Sequence, residues 1–301
     1  MEMSNDVKSK AKILVTGATG LSGSLVIKEF IRQSIPVKAL VRNREKARWF
    51  EGHPNVEIVE GNMLQPGSLH KAFEGVEKAL LLSSAFEKMV ETQETFIDAA
   101  KMAGIPHVVK YSGAAAGIGF KTYNFKPGLD HEKIEDYLID SGLKWTIVRP
   151  SQFMQLYLPG THSGVNMQQH ALMLPIGDAM ETPVAIEDVA KACVAILSQP
   201  GHDKKYYEMT GPDAMTMYEA AEIISNVIGK KISYMPIGFV EYHELLTKLG
   251  ISPAGIEILN QLSKGRMRCT ESYVKLDTHR RLGIRPTSFA EFIYKYSSAF
   301  N

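Results

Sequence analysis

Two hydrophobic rhythms alternate through the first half of this chain. Lys12-Ile13-Leu14-Val15-Thr16 is a short apolar run that stops at glycine, after which Leu21, Leu25, Val26 and Phe30 recur at helical spacing. The pattern predicts a strand, a tight turn and a helix. The same beat continues with a strand over 36–41, a helix over 44–50, a strand over 56–59 and a short helix over 68–73. A strand over 79–83, a helix over 88–103, a strand over 107–111, a helix over 130–141 and a strand over 144–149 follow. Strands alternating with helices require crossover connections, which are right-handed and leave a parallel sheet covered on both faces. The expected fold is therefore α/β, a Rossmann-type doubly wound parallel sheet.

From about residue 151 the beat is lost. Met- and Gln-rich loops (Met154, Gln155, Met167, Gln168, Gln169) lead to Thr182-Pro183-Val184-Ala185-Ile186 and a helix from Glu187 to Leu197. A strand over 205–209, a helix over 217–228 and further helices around 240–265 are expected beyond it. The reading is a dinucleotide-binding domain over 1–150 and a smaller C-terminal α/β substrate lobe over 151–301, intertwined with the first. No internal repeat or low-complexity segment interrupts either part.

Composition narrows the possibilities. The 301 residues are 45% hydrophobic and 22% charged, enough for a substantial core. A formal net charge of +1 argues against a nucleic-acid or anionic-membrane partner, which needs a basic surface. No apolar run approaches the length of a membrane span, and the first eleven residues are polar with no apolar signal core, so a cytoplasmic location is expected. Cys193, in a predicted helix, and Cys269, near a loop, have neither disulfide nor metal-ligand spacing, so no metal site is expected.

The glycine turn carries the first chemistry. Gly17, Gly20 and Gly23, with Thr19, Leu21 and Ser22 between and beside them, give a sharp turn, a close approach for a pyrophosphate and tight helix–strand packing. The helix that follows offers unpaired N–H groups to phosphates. After the second strand an NAD site would place an acid; here the chain reads Val41-Arg42-Asn43-Arg44-Glu45-Lys46. Arg42 suits a 2′-phosphate, which a guanidinium grips bidentately, whereas Arg44 and Lys46 also fit a solvated first helical turn. The expected cofactor is NADP(H). Because ligands of such sheets sit beyond the carboxyl ends of the strands, Asn62 and Met63, Ser83 and Ser84, Ser112 and Gly113, and Ser151, Gln152 and Phe153 join the candidate cofactor lining. Phe153, Met154 and Tyr157 are candidate substrate contacts.

Four stretches resemble the NmrA-like family of atypical short-chain dehydrogenases/reductases, which includes isoflavone-reductase-type enzymes and bacterial quinone and triphenylmethane reductases. They are TGATGLSG at 16–23, VRNREKA at 41–47, HEKIEDYLIDSGLKWTIVRP at 131–150 and TPVAIEDVAKACVAIL at 182–197. The resemblance implies a Rossmann fold, NADP(H) and a small C-terminal substrate lobe. Some relatives reduce small aromatic or conjugated compounds; others are redox sensors that bind the dinucleotide without turning it over.

The Tyr-x-x-x-Lys pair of the wider short-chain dehydrogenases, in which the lysine lowers the tyrosine pKa, is missing here. The resemblance places His131 in the lysine slot and Pro127 in the tyrosine slot. His131 is then a candidate for a hydrogen bond to the nicotinamide ribose, a proton donor, or a cap on the first turn of its helix. Lys133 is about 200° round the helix from it, and Lys126 and Tyr123 are expected in the preceding loop. Activated acceptors such as quinones, imines and azo compounds accept hydride without a protein acid, so the expected activity is an NADPH-dependent reduction of a small activated aromatic or conjugated substrate. The alternatives are a non-catalytic NADP(H) sensor with a regulatory protein partner and, more weakly, a nucleotide-sugar epimerase. A homo-oligomer remains open.

Overall fold

In the computed structural model, which describes residues 12–84, 88–113, 125–268 and 274–301, a seven-stranded sheet has the strand order β10-β6-β5-β4-β1-β2-β3. Its strands are β1 (Ile13–Val15), β2 (Val37–Val41), β3 (Val56–Glu60), β4 (Lys78–Leu81), β5 (His107–Tyr111), β6 (Lys144–Pro150) and β10 (Lys205–Met209). The pairs β1–β2, β2–β3, β1–β4 and β4–β5 are parallel. Every residue of β1, β2 and β5 is buried, as expected for strands covered on both faces. At the edge, β3 exposes Glu57 and Glu60 and buries Val59. The doubly wound Rossmann-type sheet is thus the observed fold.

The chain forms two compact units from interleaved segments. One takes Met1–Tyr111, Ile134–Ile147 and Cys193–Lys205; the other takes Ser112–Lys133, Val148–Ala192 and Tyr206–Asn301. The first unit has an apolar core of Leu14, Leu40, Ala79, Leu81, Phe96 and Ile97 with Ile134 and Leu138. Helix Leu21–Arg32 packs on β2, and helix Met89–Met102 supplies Phe96, whose ring meets Phe73 edge-on at 5.4 Å. The second unit centres on Met154, Tyr157, Leu172, Leu174, Phe289 and Phe292. Helix Met217–Ile228 starts with a reciprocal Thr216–Glu219 capping box, and helix Phe289–Lys295 with one from Ser288 and Glu291.

Several expectations are corrected. The segment read as Met- and Gln-rich loop carries two strands, β7 (Val165–Asn166) and β8 (Ala171–Leu174), which join β12 (Ser233–Pro236) in a separate three-stranded sheet, while β9 (Met180–Glu181) and β11 (Met215–Thr216) pair as a two-stranded one. The parallel partner of β8 lies some 60 positions on, so nothing local marks it as a strand. The segment 44–50 is a 3-10 helix, and 66–69 is another that passes into a single α-turn over His70–Phe73. The helix expected over 130–141 runs from Lys126 to Asp140, with Pro127 in its first turn, where a missing N–H costs nothing. Lys126 is therefore helical, its Nζ 2.5 Å from Asp130, and not part of a loop. Tyr123, Cys269 and residues 1–11 lie outside the described residues.

Buried histidines make the fold pH-sensitive: burial lowers His107, His162 and His279 alike. His107 on β5 is 6% exposed and hydrogen-bonds Thr146 Oγ1 through Nε2 at 2.8 Å. The single Thr146 proton goes to the His202 carbonyl at 2.6 Å, so the imidazole must be the donor. Burial, helped by Lys78, pushes the His107 imidazole down from 6.5 to about 4. Between these values the unfolded chain binds the extra proton, so the contribution of His107 is complete above pH 6.5 and drains as pH falls toward 4. His107→Gln, which keeps a donor toward Thr146, is expected to lessen the fall in urea-unfolding free energy across this window while His162 and His279 keep their share; an unchanged slope refutes the assignment.

Candidate active site

The candidate residues divide between the two units. In the first, β1 ends at Thr16, whose hydroxyl accepts from Leu82 N at 2.8 Å and lies 2.7 Å from the Leu82 carbonyl oxygen. This ties β1 to β4 at the point where the strand order reverses, the place where such sheets bind ligands. Gly17 follows with φ +60, a left-handed conformation that favours glycine, and a Cβ there would stand 2.8 Å from the Leu82 carbonyl oxygen. Gly23 has no room at all: a Cβ would lie 2.1 Å from the Gly17 carbonyl oxygen.

Gly20 is different. It is the exposed N-cap of helix Leu21–Arg32, with φ −80 and ψ 174, which any residue adopts, and its nearest steric neighbour would be 3.3 Å from a Cβ. A Cβ there would ask that neighbour, the Gly17 carbonyl oxygen, to give by a few tenths of an ångström, far less than the overlaps at Gly17 and Gly23. With no side-chain cap and no acid in its first turn, the helix presents its orphan N–H groups and positive dipole end beside Gly20. The residues fit a pyrophosphate.

Arg42 follows the last residue of β2. It is exposed and has no hydrogen-bond or ion-pair partner among the described residues. Arg44 faces Glu51 at 3.5 Å, Arg48 faces Glu45 at 3.8 Å, and Asn43 Oδ1 accepts from Glu45 N, while Lys46 is exposed and, like Arg42, has no side-chain partner among the described residues. The open guanidinium fits the 2′-phosphate of NADP(H). Asn62 turns its own chain, with Oδ1 accepting from Leu64 N at 3.1 Å, and Met63 packs against the core. Ser83, just past β4, accepts from Gln93 Nε2 at 2.9 Å, and Ser84 beside it is exposed.

In the second unit, Ser112 is buried and donates its N–H to the Val148 carbonyl. Gly113 lies against the His131 imidazole, whose Cδ2 and Nε2 would be 3.4 and 3.5 Å from a Cβ on the glycine. Two candidates eighteen residues apart in sequence are thus brought together. Because the helix begins at Lys126, His131 sits in its second turn, which removes the first-turn cap reading. Ser151 Oγ donates to the Thr182 carbonyl at 2.6 Å, the Gln152 carbonyl accepts from Val184 N, and Phe153 bridges Val184. Met154 and Tyr157 are fully buried in the core, with the Tyr157 ring edge-on to Phe289, while Phe153 is half-buried.

Three residues escaped the sequence reading: Thr16 as the strand tie, and Lys110 with Gln93 behind Ser83. Lys110 Nζ donates to Gln93 Oε1 at 2.9 Å and is completely buried, which pushes its ammonium down to about 7 against the opposing pull of Glu135. The signal was present, since a lysine inside a strand covered on both faces cannot reach water. Among the described residues no cluster of His, Cys, Asp and Glu could hold a metal, Cys193 is a buried free thiol, and no helix is long and apolar enough to cross a membrane.

The sequence profile of the NmrA-like family matches residues 9–284. An NAD(P)H azoreductase of Xenophilus azovorans is 29% identical over 292 residues, covering 96% of this chain and 99% of that protein. The solved NADPH-dependent quinone oxidoreductase of Escherichia coli, complexed with NADPH, superposes with a TM-score of 0.82 at 26% identity, covering 96% and 100%. The Citrobacter sp. triphenylmethane reductase complexed with NADP(H) gives 0.83 at 26% identity, covering 95% and 99%. A negative transcriptional regulator complexed with NADP, at 16% identity and a TM-score of 0.77, shares the fold alone.

The glycines can be separated by experiment. Gly23→Ala is expected to lower unfolding free energy by about 3 kcal/mol through forced overlap, while Gly20→Ala changes it by less than about 1 kcal/mol. Urea denaturation of both variants decides; equal losses would contradict the ligand-facing role of Gly20.

Proposed function

The chain belongs to the NmrA-like family, and from that premise we propose that it is an NADPH-dependent reductase that passes hydride to a small activated aromatic or conjugated acceptor. The observation that carries the cofactor half is the exposed, unpartnered Arg42 at the end of β2, in the same unit as the open, glycine-capped helix N-terminus. The acceptor class rests on the relatives, whose names record reduction of azo compounds, quinones and triphenylmethane dyes, and on the missing Tyr-x-x-x-Lys pair.

Bound NADPH supplies the hydride. The Gly17–Gly23 turn, with Thr19, Leu21 and Ser22, takes the pyrophosphate, Arg42 the 2′-phosphate, and Asn62 and Met63 flank the adenine. Ser83 and Ser84, Ser112 and Gly113, and Ser151, Gln152 and Phe153 serve the nicotinamide side. His131 hydrogen-bonds the nicotinamide ribose from beside Gly113. Phe153 takes the substrate contact, since Met154 and Tyr157 spend their side chains on the core. An electrophilic acceptor takes hydride directly and its proton from water, so the work left to the residues is positioning and exclusion of solvent.

Arg42→Asp is expected to weaken NADPH binding by about 100-fold, the worth of charge-assisted phosphate hydrogen bonds. NADH binding should change less than about threefold, because it lacks that phosphate. Titration of both nucleotides measures this, and equal losses refute the assignment. Turnover of NADPH against quinones, imines, azo dyes and triarylmethane dyes tests the activity. Tight binding with no oxidation of NADPH across that panel would favour the sensor reading.

A further inference from the structure

Lys110 stands level with the end of β4, opposite Leu81, the residue two positions before Ser83. Its neighbours on β5 are Val109 and Tyr111, and its side chain is wholly buried. Burying an ammonium is costly, and an apolar side chain of similar volume would serve the fold at least as well. The cation is balanced by Glu135, which is 3% exposed on helix Lys126–Asp140, and it donates to Gln93 on helix Met89–Met102.

The direction of the hydrogen bonds follows from which groups can donate. In the charged form that pairs with Glu135, Lys110 has donors and no acceptor, and Gln93 turns Oε1 toward it at 2.9 Å. That leaves Nε2 facing Ser83 at 2.9 Å, and Ser83 Oγ becomes an acceptor on its inner side. Its hydroxyl hydrogen must therefore point elsewhere. In the structure it reaches the Ser84 carbonyl at 3.2 Å, long for a hydroxyl donor, so this bond is easily exchanged for a better one.

We propose that Lys110 and Gln93 are positioning residues of the cofactor site, fixing Ser83 as an acceptor on its buried side so that its hydroxyl donates outward to an acceptor oxygen of the dinucleotide. Neither residue touches the cofactor. The inference rests on the NADP(H) reading of the preceding section, and titration of NADPH into the full chain separates the two.

Ser83→Ala is expected to weaken NADPH binding about tenfold, the loss of one well-made hydrogen bond. Gln93→Met keeps the Lys110–Glu135 pair and should lose nearly as much, and the double variant should lose no more than the larger single loss, since both remove one interaction. Replacing the charges together, Lys110→Met with Glu135→Leu, avoids a stranded carboxylate and should give the same loss. A purely structural Gln93 would instead lower the unfolding temperature while leaving the Kd of the folded protein unchanged, which overturns the proposal. Should Gln93→Met not fold, Ser83→Ala decides alone: binding equal to the unmodified chain overturns it. A chain that takes up no NADPH at all overturns the cofactor reading and this inference with it.

Discussion

The contact on which the nucleotide half of the structure depends is the meeting of Gly23 with the carbonyl of Gly17. No side chain fits between them. The first helix can therefore lie directly on the turn that follows β1, and its axis is set by backbone against backbone. That approach puts the helix N-terminus at the end of the sheet. Thr16 then locks the turn to β4 through its hydroxyl, so the open N–H groups stand on a frame that cannot drift. An anion site made this way needs no reorganisation to receive charge.

The second unit is held differently. Its strands are short, and polar pins take over where the ladders are brief. Asp188, buried, accepts from the Thr287 backbone and hydroxyl, and Arg266, equally buried, donates to Glu181 at 2.5 Å. Pairing of this sort is costly to break, because each partner removed strands a buried charge. Gln155 joins Glu187 and the backbone of Ile186 in the same manner. These pins leave Ser151, Gln152 and Phe153 on a segment fastened to Val184 and Thr182.

Legibility in the sequence followed the range of the interactions. The strands β1 to β6 are runs of apolar residues bounded by turns, and each was readable within a few residues of its observed limits. The glycine turn and Arg42 were readable because spacing along one strand–turn–helix unit fixes them. The pairing of β8 with β12 was not, since it depends on partners far apart in the chain. His131 was found through resemblance, but its place in the second helical turn and its contact with Gly113 needed the fold. Lys110 could have been found: within Val108-Val109-Lys110-Tyr111 a lone cation interrupts a strand expected to be dry on both faces.

That buried lysine also sharpens the chemical argument. In short-chain dehydrogenases a lysine assists a tyrosine that hands a proton to the substrate. Lys110 cannot stand in for it, because it lies wholly beneath the surface with Gln93 between it and Ser83. Tyr111, next along the strand, is driven well above the ordinary tyrosine range by burial, chiefly, and is no better placed to give up a proton. Tyr157 is raised in the same direction by burial within the second core. On the proposed reading, then, none of these buried groups supplies the acid a ketone would need. Acceptors that carry their own electrophilic drive place the least demand on such a site, and those are the acceptors named for its azo, quinone and triphenylmethane relatives.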